Sequence, residues 1–331
     1  MKGYSRILLF GLFVAGLFLI SCRQGDPQNE NPPVSLTESS QNSLPATATN
    51  PVSSACKKIA FVMISKSIPD IYTVCPDGSE LINLTNDPSF DSHPSWSPDG
   101  TKIAFASSRA GNSQIYIMDA DGNNPIKKTS DYENDFPIWL PDGKQIAFRT
   151  TDAKGLWWWR IVNIESNEIS HFSEPSFDFF FQTPAWSPDG QSIAYMSLVE
   201  QQERNDGSSQ IHIKNVDGTN DTPLTNNVWA NINPVWSPDG KRIAFLSEQD
   251  GTYNVFALYL MDKSGENSKK LTEPIFPENV HFAWSPDGQQ IAINNEFPVG
   301  NISIIDLRTG SSRVLLRLAE GESASAPSWQ P

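Results

Sequence analysis

The chain has 331 residues, with 10 Trp, 25 Pro and 20 Gly but only 3 Cys, and a formal net charge of −14. The length allows one large or two ordinary domains. An aromatic content of 11% excludes a disordered chain, and the acidity excludes a nucleic-acid partner, whose phosphates need a positive surface. Three Cys are too few for a disulfide scaffold.

At the N-terminus, Lys2 and Arg6 flank an uncharged, mostly apolar run from Ile7 to Ile20. This run falls short of the ~20 residues that span a bilayer as a helix and suits the core of a signal peptide. It ends in Leu19-Ile20-Ser21-Cys22, which resembles a bacterial lipoprotein box. The resemblance implies cleavage after Ser21 and diacylation of Cys22. Acyl chains stabilise membrane attachment by about 0.8 kcal/mol per buried CH₂, so the expected partner of Cys22 is a membrane surface that the chain does not span. Arg23 follows the Cys, which resembles outer-membrane sorting in a Gram-negative cell. The expected location is exported, on the outer face of the cell membrane or on an outer membrane facing the periplasm. Residues 23–55 are rich in Pro, Ser, Thr, Asn and Gln and cannot bury enough apolar area to offset chain entropy. They read as a flexible tether with a span of about 30 Å. The organisation is therefore a signal peptide over 1–21, a lipidated Cys and tether over 22–55, and a folded domain over 56–331.

One unit recurs through the rest of the chain. Trp96-Ser97-Pro98-Asp99-Gly100 is followed by Ile103-Ala104-Phe105, and near-copies start at Trp139, Trp186, Trp236 and Trp284, at spacings of 43, 47, 50 and 48 residues. Each Trp should end a short strand. Pro fixes φ in the turn, Asp suits the next position and Gly supplies φ > 0, so an antiparallel strand follows. In that strand Ile and Phe share one face and Ala takes the other. A third strand is visible at Ile115–Met118, a second turn at Asp119-Ala120-Asp121-Gly122, and a fourth short strand runs up to Lys128-Thr129. Four antiparallel strands per 40–50 residues is a propeller blade. Ile59-Ala60-Phe61 lacks its own Trp strand, and Pro327-Ser328-Trp329 lacks its own unit. The expected fold is all-β: a six-bladed propeller of four-stranded blades, closed by the C-terminal strand in the first blade. Cys56 and Cys75 fall on neighbouring strands of that blade, an even pair in an exported chain, and are expected to form a disulfide.

These Trp-Ser-Pro-Asp-Gly…Ile-Ala-Phe units resemble the WD-like propeller repeats of the TolB family, over nearly all of residues 57–331. The family's namesake carries an additional N-terminal α/β domain; here the apolar leader and the polar stretch stand in its place. The resemblance implies a protein- or peptide-binding propeller of the cell envelope. Related repeats occur in prolyl oligopeptidase-like enzymes, whose catalytic Ser, Asp and His lie in a separate hydrolase domain.

Motifs of catalysis are missing: the sequence holds no Gly-x-Ser-x-Gly elbow, no His-Glu-x-x-His and no Cys-x-x-Cys. Asp119-Ala120-Asp121-Gly122 superficially resembles a calcium loop but lacks the third acid and the distal Glu, so it reads as a turn. No metal or cofactor is expected, and the chain is expected to be a monomer and not an enzyme. The varied loops between each fourth strand and the next Trp strand should gather on one rim of the ring. Aromatics mixed with carboxylates and amides there suit recognition of a peptide or a sugar. The candidate ligand-binding residues are Asp91, His93, Asn134, Asp135, Phe180, Gln182, Trp229, Asn231, Asn279 and His281. The Trp157-Trp158-Trp159 run, outside the repeat, reads as a strand with Trp157 and Trp159 on one face, packed within the fold; the alternative is an exposed Trp available for function. The alternative is an envelope hydrolase or lyase acting on peptide or carbohydrate through channel carboxylates (Asp91, Glu133, Asp135, Asp178, Glu278).

Overall fold

A computed structural model describes residues 56–65, 68–173, 183–198, 209–248, 255–274, 280–295 and 300–331. Among them lie six four-stranded antiparallel sheets arranged as the blades of a closed propeller. Blade 2 shows the plan. Its inner strand Asp91–Trp96 pairs with Lys102–Ala110, which pairs with Asn112–Asp119, which pairs with the outer strand Ile126–Lys127. Blade 1 takes its inner strand, Ser323–Trp329, from the far end of the chain and lays it against Ile59–Ser65. Closure in this way leaves the ring no open edge at its seam. Gln330 reinforces it: its backbone N–H donates to Lys58 O at 2.8 Å, and its side chain accepts from Lys58 N and donates to Gly100 O in blade 2. Cys56 and Cys75 are joined in a disulfide that ties the start of the first blade to the end of its neighbouring strand.

The Trp turns explain their own residues. Gly100 N–H donates to Ser97 O, Ser97 Oγ donates to Asp99 at 2.6 Å, and Asp99 also accepts from the Thr101 backbone. Ser97 Oγ in turn accepts from Lys102 N. The same contacts recur around Asp189, Asp239 and Asp287. The Ser hydroxyl, with the backbone donors, holds Asp99, Asp189 and Asp239 below the usual carboxylate value. These carboxylates are turn-formers.

The core lies between blades. Ile103 and Phe105 pack against Ala60, Val62 and Ile71 of blade 1. Ala104 and Ala106, on the opposite face, receive Ile146 and Phe148 of blade 3. The small Ala makes room for the next blade's Phe, which is why Ile-Ala-Phe repeats. Phe61, Phe105, Phe148 and Phe245 are fully buried, each worth roughly 1.5–3 kcal/mol in apolar burial. Trp157, Trp158 and Trp159 belong to the third strand of blade 3, Trp157–Asn163, and all three are buried. They form part of the blade interior, as expected of a packed strand, and offer no exposed platform.

Candidate functional site

The inner strands are built to aim one residue at the propeller axis. Three residues before the repeat Trp stand His93, Phe136, Asn233 and Ala326, each followed by Pro. Pro has no N–H for the ladder, so the strand bulges at this point. The pairing register skips between Ser92 and Ser95, between Asp135 and Ile138, and between Ile232 and Val235. The residue before each Pro takes a left-handed backbone, with φ of 52° at His93, 51° at Phe136, 51° at Asn233 and 50° at Ala326. For a residue other than Gly this costs roughly 1–2 kcal/mol. Such strain persists only where the surrounding structure over-determines the conformation.

Thr183 of blade 4 and His281 of blade 6 occupy the same level. These six positions, with the Pro, Trp and intervening residues of the inner strands, line a cavity of about 420 Å³. Pro141, Pro188 and Pro238 of the Trp turns line it as well, so it lies on the turn side of the ring. Half of the six-residue level is aromatic. His93 stacks on Phe136 with ring centroids 3.8 Å apart, and His281 meets His93 at 5.7 Å and Phe136 at 6.0 Å. His281 and His93 come from blades on either side of blade 1, whose residue at this level is Ala326; its single methyl lets the two imidazoles meet.

Charge lies just behind the rings. Arg149 makes a two-pronged ion pair with Asp135, at 2.9 and 2.6 Å, and its guanidinium covers the Phe136 ring at 4.4 Å. Burial raises the Asp135 carboxyl above its ordinary value against the pull of Arg149. Burial also draws both imidazoles down to about 3; Arg149 adds to the effect at His93, and His93 adds to it at His281. Both rings are neutral at neutral pH. Asn233 Oδ1 is buried without a hydrogen-bond partner among the described residues. A concave apolar site with perturbed titratable groups and one unmatched acceptor is the pattern of a binding site.

The residues expected on the loop rim divide. His93 and His281 line the channel, and Asp135 lies behind Phe136, paired with Arg149. Asp91, Asn134 and Asn231 are fully buried and taken up within the blades. Asn231 Nδ2 donates to Asn227 Oδ1 and Trp229 O, both at 3.0 Å, and its Oδ1 accepts from Ser247 at 2.7 Å. Asn134 holds the corresponding place, accepting from Thr150 and donating to Gln114 and Asp131 O. In blade 2 the position is Asp91, and Arg109 supplies the matching donor at 3.0 Å. Asn134 and Asn231 clamp the loops that enter their inner strands. Trp229 is half-buried beside such a clamp and does not line the cavity. Phe180, Gln182 and Asn279, together with Asp178 and Glu278, lie outside the described residues. On the loop face Phe90 and Tyr132 stand out, 61% and 49% exposed. Phe136, Arg149, Asn233 and Thr183 were not among the expected binding residues. Counting back three residues from every repeat Trp picks out all of them except Arg149.

The sequence model of the TolB beta propeller domain matches residues 37–178 and 160–331. The chain belongs to the TolB β-propeller family. A stretch of 62 residues, 19% of the chain, is 44% identical to the protein TolB homolog of Chlorobium luteolum (strain DSM 273 / BCRC 81028 / 2530) and spans only 14% of that protein. TolB from Acinetobacter baumannii superposes with a TM-score of 0.70 at 21% identity, covering 83% of this chain and 67% of that one. A putative TolB from Agrobacterium tumefaciens gives a TM-score of 0.56 at 18% identity, covering 84% of this chain and 100% of that one. Hydrazine synthase of Kuenenia stuttgartiensis gives 0.62 at 15% identity, covering 83% and 47%. At these identities the TolB-family propeller is shared as a fold, and a fold hosts many functions.

Proposed function

We propose that this TolB-family propeller is an exported protein, held to a membrane by lipid on Cys22, that binds a protein or peptide segment in its central channel. The observation that carries the binding reading is the cavity of about 420 Å³, walled by repeated Trp and Pro and floored by His93, Phe136, Asn233 and His281. Rigid aromatic and Pro walls with few polar groups suit inserted side chains of a peptide. The alternative of a carboxylate-based enzyme loses two of its acids, because Asp91 and Asp135 are committed to Arg109 and Arg149. The lipoprotein-like Leu19-Ile20-Ser21-Cys22 segment supports export and anchoring, and the Cys56–Cys75 disulfide accords with an oxidising compartment.

The test uses the full chain in cells. A metabolic acyl label should enter the wild type and be absent from Cys22→Ser. Partner capture by crosslinking should fall sharply in the Phe136→Ala, Asn233→Ala double variant while its circular dichroism stays that of the wild type. Undiminished capture by that variant would overturn the channel as the binding surface.

A further inference from the structure

We propose that the floor of the channel is a binding site for a divalent transition-metal ion of the zinc class, held by His93, His281 and Asn233 Oδ1, with its remaining coordination position open to the cavity. With metal–nitrogen bonds of about 2.0–2.1 Å, two imidazoles on one tetrahedral ion place their ring centroids about 5 Å apart. His93 and His281 stand at 5.7 Å with their planes crossed at 68°, so a small rotation of either ring admits the ion.

His93 Nδ1 lies 3.1 Å from Ser92 Oγ, which fixes the ring and leaves Nε2 for a metal, the outer-shell arrangement that metal-binding His shows in general. Asn233 stands at the same level on the blade next to His281, and its buried Oδ1 has no partner among the described residues. An oxygen in that state is stabilised by a cation.

The charged neighbour is Arg149, and its pairing with Asp135 leaves the surroundings without net charge, so an ion meets no unbalanced repulsion. Two imidazoles and one neutral oxygen suit zinc or its neighbours better than calcium or magnesium, which prefer oxygen throughout. The other cluster of metal-ligating side chains among the described residues is Cys56, Cys75 and Glu80, and its sulfurs are tied in the disulfide. The proposal does not rest on partner binding: the ion belongs to the channel floor whether or not a peptide enters.

The chain has four His, so the test is direct. Zinc chloride is titrated into the full chain and binding followed by calorimetry and by ¹H–¹⁵N correlation of the imidazoles. The expected result is one zinc per chain, with the His93 and His281 resonances moving and those of His171 and His212 staying in place. His93→Gln and His281→Gln should each weaken binding by roughly tenfold or more, and His171→Gln, His212→Gln together should leave it unchanged. No saturable binding to the wild type, movement of the His171 or His212 resonances instead, or full binding by the His93→Gln, His281→Gln double variant would overturn the site. The wild-type spectra decide the question even if a variant fails to fold.

Discussion

Asn231→Ala separates the two roles this residue could have. The carboxamide is wholly buried. Truncation removes the acceptor used by Ser247 Oγ and the donors that serve Asn227 Oδ1 and Trp229 O. Two amide hydrogens and one acceptor are lost. With about 1 kcal/mol for each net hydrogen bond and about 1–3 kcal/mol for a buried partner left unmatched, the loss is about 3–4 kcal/mol. At about 2 °C per kcal/mol for a domain of this size, Tm should fall by roughly 6–8 °C. Urea unfolding followed by Trp fluorescence measures the change, and an unchanged slope certifies that the unfolded state is comparable. Lys144→Ala, at an exposed turn position, is the control and should shift stability by less than about 0.5 kcal/mol. A loss below about 1 kcal/mol in Asn231→Ala, or intact stability with lost partner capture, would refute the clamp and return Asn231 to a binding surface.

Further outcomes follow from the same physics. The folded pKa of His93 and His281, about 3, lies below the unfolded value of about 6.5. The unfolded chain therefore binds more protons in between, and their contribution is full above pH ~6.5 and lost as pH falls toward about 3. Tm measured against pH should drop across that window, and the drop should flatten in the His93→Gln, His281→Gln variant. Gly122→Ala should destabilise by about 2 kcal/mol or more, since its Cβ would stand 2.7 Å from Leu84 O at a φ of +87°. Gly155→Ala, with nothing within 4 Å, should cost only about 1 kcal/mol for its φ; equal losses in thermal unfolding would contradict the steric argument. Cys56→Ser with Cys75→Ser opens a crosslink between residues 19 apart and should lower stability by about 3 kcal/mol, measured by urea unfolding under oxidising conditions.

The blades were legible because each repeat carries its own local physics. Pro, Asp and Gly dictate the turn between Trp96 and Ile103, and the alternation of Ile-Ala-Phe dictates which faces meet between blades. The unpaired halves at Ile59 and Trp329 announced the closure. The site was legible only in part. His93 and His281 were both among the expected binding residues, but their meeting depends on Ala326, a residue 45 positions from His281 and 233 from His93. Asn134 and Asn231 look like exposed loop amides in sequence; they are buried because Thr150 and Ser247 on the neighbouring strand complement them. Arg149 carries no motif at all. It acquires its place from the bidentate pairing with Asp135 and from the face of Phe136, a relation created by the bulge before Pro137. Side chains that depend on such tertiary neighbours leave little trace in a local pattern.

A partner that enters the channel between the inner strands must pass the residues lining it. A photo-crosslinking amino acid placed at Thr183, which lines the cavity, tests this entry most directly when compared with the same probe at Val216, an exposed position on the outer part of blade 4. A discrete adduct is expected from position 183 in cells and none from position 216. The same adduct from position 216, with none from position 183, would contradict it.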